Sequence, residues 1–155
     1  MIRTAWRVAA GTAAVVAGIC IATPAEAAAR RTGHPVGTWT GVVSWDGGRQ
    51  EVAMSFFADG TLCLVPEDDP AGGAEGSGVW RHTGGNRFSF TATERFYGPD
   101  GETLGWLTTS QKAVQTGPRF RSKGESAQYD AEWNLYYTVT SRLDMRRTGT
   151  SPTPC

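Results

Sequence analysis

From about residue 36 onward the chain alternates apolar and polar residues in short runs, each closed by a turn signal. Val52, Met54 and Phe56 recur at every second position. Phe88, Phe90, Ala92, Glu94 and Phe96 do the same, interleaved with Arg87, Ser89, Thr91, Thr93 and Arg95. A period of two is that of a half-buried strand, and after the first thirty or so residues no run carries a helical period. The runs are Gly37–Asp46, Arg49–Phe57, Thr61–Val65, Val79–Thr83, Arg87–Tyr97, Thr103–Thr116, Arg119–Tyr129 and Leu135–Met145. Between them stand DGG, ADG, GGN, GPDGE, TGP and DAEWN, residues that take tight-turn geometry cheaply. Eight runs with mostly short connections predict an all-β, eight-stranded antiparallel up-and-down meander. Closing it into a barrel over residues 37–145 removes exposed edges most simply. The acidic, Gly-rich Pro66–Gly78 is too long for a tight hairpin and is expected to form a mobile lip over one barrel mouth. Residues 146–155 read as a polar tail.

Alternation also sorts the faces. The charged set on strand five is a solvent face, so Phe88, Phe90, Ala92, Glu94 and Phe96 point inward. A three-residue GGN loop pairs His82 with Phe88 and Trp80 with Phe90. The GPDGE loop is expected to set Leu104 against Phe96 and Trp106 against Glu94. Strands seven and eight bring Ser122, Gly124 and Ser126, then Thr138 and Thr140, and their inward face stays open.

The first residues change the setting. Arg3 and Arg7, the apolar run Val8–Ala22 and the small-x-small site Ala25-Glu26-Ala27 make up a secretory signal peptide over 1–27, followed by a linker over 28–36. The apolar run is too short to span a membrane, so a secreted, extracellular protein with no membrane attachment after cleavage is expected. Lys+Arg and Asp+Glu are equal at 15 each, a balance that argues against nucleic acid or an anionic membrane as partner. Monomer and homodimer both stay open. Cys63 and Cys155 remain after cleavage. They either form a disulfide, as an oxidising compartment favours, or stay as a buried thiol and a free tail thiol.

GTW at the start of strand one (Gly37–Trp39), with TVTSRL near the end of strand eight, resembles the calycin signature of lipocalins and their relatives. That resemblance implies that Trp39 plugs one end of the barrel and that Arg142 packs across it, and it spans about Val36 to Arg147. The short strands and the lack of a C-terminal helix are more similar to compact barrels of the allene oxide cyclase type and to small lipocalin-like secreted actinobacterial proteins. ADGTL and LGWLTTSQ look like stretches of the biotin-binding avidins, but Thr40 and Gly41 stand where avidins carry biotin-holding polar residues.

Candidate chemistry is sparse. Glu94, on an aromatic inward face, is a candidate general acid or base, with His82 as its candidate partner. Met54, Phe56, Trp80, Phe90, Trp106, Ser126 and Tyr136 are the expected ligand-lining residues, and only one of Tyr136 and Tyr137 can face inward. EDDP (Glu67–Pro70) lacks a spaced ligand set, so no metal and no cofactor is expected. The expected function is a secreted barrel that binds a small, largely apolar, cyclic or aromatic molecule in its lumen. The alternatives are a cofactor-free cyclase or isomerase of the allene oxide cyclase type, and a structural or partner-binding barrel with a filled core.

Overall fold

A computed structural model describes residues 34–69 and 72–155, with the side chains of 66–69 left aside. The signal peptide and the linker up to residue 33 lie outside the described residues. The strands are β1 (Gly37–Trp45), β2 (Gly48–Phe56), β3 (Thr61–Asp69), β4 (Gly72–Gly84), β5 (Arg87–Tyr97), β6 (Thr103–Thr116), β7 (Arg119–Asp130) and β8 (Leu135–Gly149). Every neighbour in sequence pairs antiparallel, and β1 pairs with β8 to close an eight-stranded barrel. The expected architecture is therefore the observed one.

Two boundaries differ from expectation. Most of Pro66–Gly78 is strand rather than lip, because β3 runs on to Asp69 and β4 begins at Gly72; Pro70 and Ala71 lie outside the described residues. Its glycines suggested a loop by composition, yet they fit a strand under close approach. A Cβ at Gly78 would collide with the Thr91 carbonyl oxygen on β5. Likewise β8 continues through Arg146 and Arg147 to Gly149, so the tail proper is shorter than expected.

The barrel has two storeys. At the end where β1 begins, Trp39, Phe56, Phe88 and Phe120 are at most 1 % exposed. Their rings meet edge to face: Trp39–Phe120 at 4.8 Å, Phe88–Phe120 at 5.2 Å and Phe56–Phe88 at 5.7 Å between centroids. Met54, Leu62 and Met145 fill the gaps between them. Aromatic pairs of this kind contribute about 0.5–1.5 kcal/mol each beyond the area they bury. This storey is solid.

The Trp39 plug is held by two further contacts. Its indole N–H donates to the Pro35 carbonyl at 2.6 Å. The guanidinium of Arg147, its direct cross-strand partner, lies 4.6 Å from the ring centroid and donates through Nη2 to the His34 carbonyl. Arg142, expected in that place, instead pairs in register with Ser44 and is exposed. The physical reason is the length of β8. Its extra turn of ladder carries Arg147, not Arg142, to the level of the plug. Burial pulls the Arg147 guanidinium below its ordinary pKa.

The seam between β2 and β3 is the short one. It runs only from Phe56↔Leu62 to Met54↔Leu64, whereas β2 reaches back to Gly48. Pro66 has no amide hydrogen to donate, and the pairing of β3 with β4 shifts register between Leu64 and Glu67. A proline in a strand belongs at an edge or a bulge, and here β3 leaves β2 just before it. Across the other end of this seam lies the tail. Thr153 N–H bonds to Thr38 Oγ1 and Ser55 Oγ, and Cys155 forms a disulfide with Cys63. The disulfide left open by the sequence is thus present in the fold.

Candidate functional site

The second storey, toward the turns β1–β2, β5–β6 and β7–β8, is not filled. Inward positions there are set by the alternation of β1, β2, β5, β6, β7 and β8. They surround a cavity of about 150 Å³ lined by Val43, Trp45, Gln50, Val52, Glu94, Phe96, Leu107, Ser126, Gln128, Tyr137, Val139 and Ser141. A smaller void of about 60 Å³ continues below it toward Met54, Phe90 and Leu143. Where β3 leaves β2, a third space of about 220 Å³ opens sideways between Gln50–Ala53 and Leu64–Val65. Val52 and Glu94 line all three, so the spaces meet at the level of Glu94. A groove of about 420 Å³ beside Cys155 and Trp106 is larger, but it lies on the outer face and is more open to solvent.

Between the storeys runs a polar belt. Gln111, 1 % exposed, donates through Nε2 to Ser141 Oγ at 2.7 Å and to Thr109 Oγ1 at 3.2 Å, and its Oε1 accepts from Ser122 Oγ at 2.9 Å. Ser126 Oγ lies 2.8 Å from Ser141 Oγ and 3.0 Å from Thr109 Oγ1. A buried amide costs free energy unless its donors and acceptor are satisfied, and here three strands cooperate to satisfy it. The belt presents Ser126 and Ser141 to the cavity above, giving a mostly apolar pocket a hydroxyl floor beside its other polar groups, Gln50, Glu94 and Gln128.

The expected site residues divide. Glu94 faces the lumen as expected, half-buried at the junction of the three spaces. Ser126 lines the main cavity, and Met54 and Phe90 line its lower extension. Phe56 belongs to the solid storey, where it is wholly buried. Trp80 pairs with Phe90, as the loop length predicts, and its indole N–H donates to the Phe57 carbonyl, which makes it part of the wall.

Three placements are corrected. Trp106 is not in the lumen and not opposite Glu94. The observed pairs are Glu94↔Leu107 and Phe96↔Gly105, with a bulge between Phe96 and Tyr97. One extra residue reverses every face beyond it, so Leu107 turns in. Trp106 turns out, to stack on Trp133 at 4.7 Å. Tyr136 is 67 % exposed, and it is Tyr137 that lines the cavity. His82 pairs with Phe88 at the closed end, is exposed, and stacks on His34 at 4.9 Å. Six residues of extended strand from Phe88 to Glu94 span roughly 20 Å, so His82 and Glu94 do not act on one substrate atom.

Sequence reasoning missed Trp45, Gln50, Leu107, Gln111, Gln128 and Ser141, and took Tyr136 where Tyr137 lines the cavity. The signal was there in the solvent faces. Lys112 on β6, Arg119, Arg121 and Lys123 on β7, and Arg142 with Asp144 on β8 mark the outward parity of each strand, and every missed residue on those strands lies on the opposite one.

Among the described residues no group of His, Cys, Asp and Glu is arranged to hold a metal ion. Compared with known proteins, the chain matches no family model, no curated protein and no solved structure. The closed eight-stranded meander is consistent with a calycin-like barrel.

Proposed function

We propose that this is an exported, lipocalin-like container whose open storey holds one small, largely apolar, cyclic or aromatic molecule. The observation that carries this reading is the cavity of about 150 Å³ lined by Trp45, Phe96 and Tyr137 together with aliphatic side chains, over a hydroxyl floor. An apolar cavity of about 150 Å³ takes a benzene-sized guest, so the guest is a compact ring system rather than a long lipid. Its size lies below the usual range of drug-sized sites, about 300–1,000 Å³. The side space adds room for a substituent. The filled lower storey is what a structural or partner-binding barrel would show throughout, and it is the open storey above it that favours the container.

The cyclase or isomerase reading asks for proton-handling groups around one reacting centre. Glu94 lines the cavity together with Tyr137 while His82 stands at the far end, so a Glu94–His82 pair does not support that reading. The test of the container reading is native mass spectrometry of secreted protein for a co-purifying small molecule, followed by titration with simple aromatics. Val139→Phe, which fills the pocket from β8, is expected to weaken binding at least 100-fold while circular dichroism keeps its sheet signal. Unchanged affinity in a folded Val139→Phe variant overturns the placement of the site.

A further inference from the structure

We infer that the guest of the lumen is a compact phenol or ring alcohol that docks hydroxyl-first on Ser126 and Ser141. This rests on the container reading above and deepens it. The belt beneath the cavity fixes where its own hydrogens point. Gln111 brings two amide hydrogens, and the hydroxyls of Thr109, Ser122, Ser126 and Ser141 bring one each. The amide pair goes to Ser141 Oγ and Thr109 Oγ1, and the Ser122 hydrogen goes to Gln111 Oε1. Turned over, the amide would have only the Ser122 hydroxyl for its two hydrogens. Thr109 Oγ1 also stands 3.4 Å from the Glu125 carbonyl, which can only accept, so the Thr109 hydrogen goes there. The 3.0 Å contact between Thr109 and Ser126 is then filled by the Ser126 hydrogen. The 2.8 Å contact between Ser126 and Ser141 is left to the Ser141 hydrogen. Every hydrogen of the belt is committed, and in one direction only.

That arrangement leaves acceptors over. A hydroxyl oxygen has two acceptor positions. Ser126 uses one for Ser141, Ser141 uses one for Gln111, and Thr109 uses both. Ser126 and Ser141 are the belt hydroxyls that line the main cavity. Among the described residues, each keeps one position to accept and no hydrogen to give. The floor therefore asks a guest for a donor. A carbonyl or ether oxygen set there would face another oxygen, losing water with no bond in return. A hydroxyl suits the floor well, because its hydrogen turns about the C–O bond to reach either of two oxygens 2.8 Å apart. The walls add an orientation. Gln128 and Tyr137 stand nearer the β7–β8 turn than Ser126 and Ser141, and both can donate as well as accept. A second oxygen on the guest belongs up there, and the hydroxyl belongs at the bottom. Glu94 has no part in this arrangement.

The test uses three uncharged probes of similar shape. Benzyl alcohol donates and accepts, benzaldehyde only accepts, and toluene does neither. Affinities are read by isothermal titration calorimetry on the secreted chain. Benzyl alcohol is expected to bind roughly tenfold or more tightly than benzaldehyde, the worth of one buried hydrogen bond. Ser126→Ala is the decisive arm. It removes one acceptor and releases the Ser141 hydrogen that Ser126 held, so the floor gains a donor. The alcohol-to-aldehyde ratio should then fall to about one or below, with benzaldehyde itself bound more tightly than by wild type. Equal wild-type affinity for the two, or a preference for the alcohol that survives Ser126→Ala, overturns the inference while the container reading stands. Failure of all three probes to bind sinks the container reading and this inference with it. If Ser126→Ala does not fold, Ser126→Cys replaces it, since a thiol keeps the shape but hydrogen-bonds weakly. An undiminished ratio in that variant overturns the inference.

Discussion

Arg147 and Trp39 show how one contact can close a barrel. The indole is fully buried, and the guanidinium covers it from the adjacent strand at 4.6 Å. A cation–π contact contributes about 0.5–2 kcal/mol, more when desolvated. Against that stands a cost, because Arg147 Nε is buried with no hydrogen-bond partner among the described residues. Urea denaturation should show Arg147→Ala destabilising by about 1–3 kcal/mol. Arg142→Ala, on the exposed face of the same strand, should stay within about 0.5 kcal/mol of wild type. A double-mutant cycle with Trp39→Phe should return a coupling of about 0.5–2 kcal/mol for Arg147 and none for Arg142. The GTW motif made the plug legible in the sequence. Which arginine meets it was not, since that depends on where β8 ends, and Arg142, Arg146 and Arg147 look alike to a motif.

Strand number, order and most boundaries were readable because Gly, Asn, Asp and Pro clusters punctuate the chain and alternation supplies the faces. Register beyond a turn was not always readable. The GGN loop gave Trp80↔Phe90 correctly, whereas the bulge after Phe96 moved Trp106 outside. The bulge itself leaves little trace in a linear pattern, but solvent-facing Lys112 on the same strand marks the even positions of β6, Trp106 among them, as outward.

The β7–β8 turn illustrates what such packing sustains. Trp133 sits at φ 66°, a left-handed conformation that is strained for a bulky residue. It is kept there by its stack on Trp106 and by Asp130, whose carboxylate accepts from Asn134 Nδ2, Asn134 N–H and Glu132 N–H. Those bonds, the Asn134 side chain foremost, hold the Asp130 carboxyl below its ordinary value of 3.8. Its folded pKa being the lower one, the turn is fully stabilised above 3.8 and loses that support as pH falls below 3.8 through the folded value. Near-UV circular dichroism should therefore lose the Trp106–Trp133 signal on acidification in that window. Asp130→Asn should weaken the signal at neutral pH and remove the Asp130-dependent step. An unchanged titration in Asp130→Asn would exclude Asp130 as the group responsible.

For the whole molecule the tail matters more than its length suggests. It crosses the outer faces of β1 and β2 and ends on β3, covering Ser55 and Cys63 at the closed end. A disulfide between residues 92 apart removes a large loop from the unfolded ensemble, about 4–5 kcal/mol in the chain-entropy model. Cys155→Ser should lower unfolding stability in urea by about 2–5 kcal/mol. A loss under about 1 kcal/mol would mean that the tail bonds and the barrel ladder hold β3 in place unaided.

The same disulfide divides the barrel in a second way. Everything from Cys63 to the C-terminus becomes one covalent hoop, while β1 and β2 precede Cys63 and stay outside it. The first hairpin is thus a loose stave set into the gap of that hoop. One side of it is fastened to β8 along nearly its whole length, and the other to β3 by three residue pairs. A cooper would know where such a vessel gives. The tail that closes the hoop straps the stave from outside at Thr38 and Ser55, and Trp39, Met54 and Phe56 pin it from within. The wall therefore has fewest bonds higher up, beside Val52, where β2 has no ladder to β3.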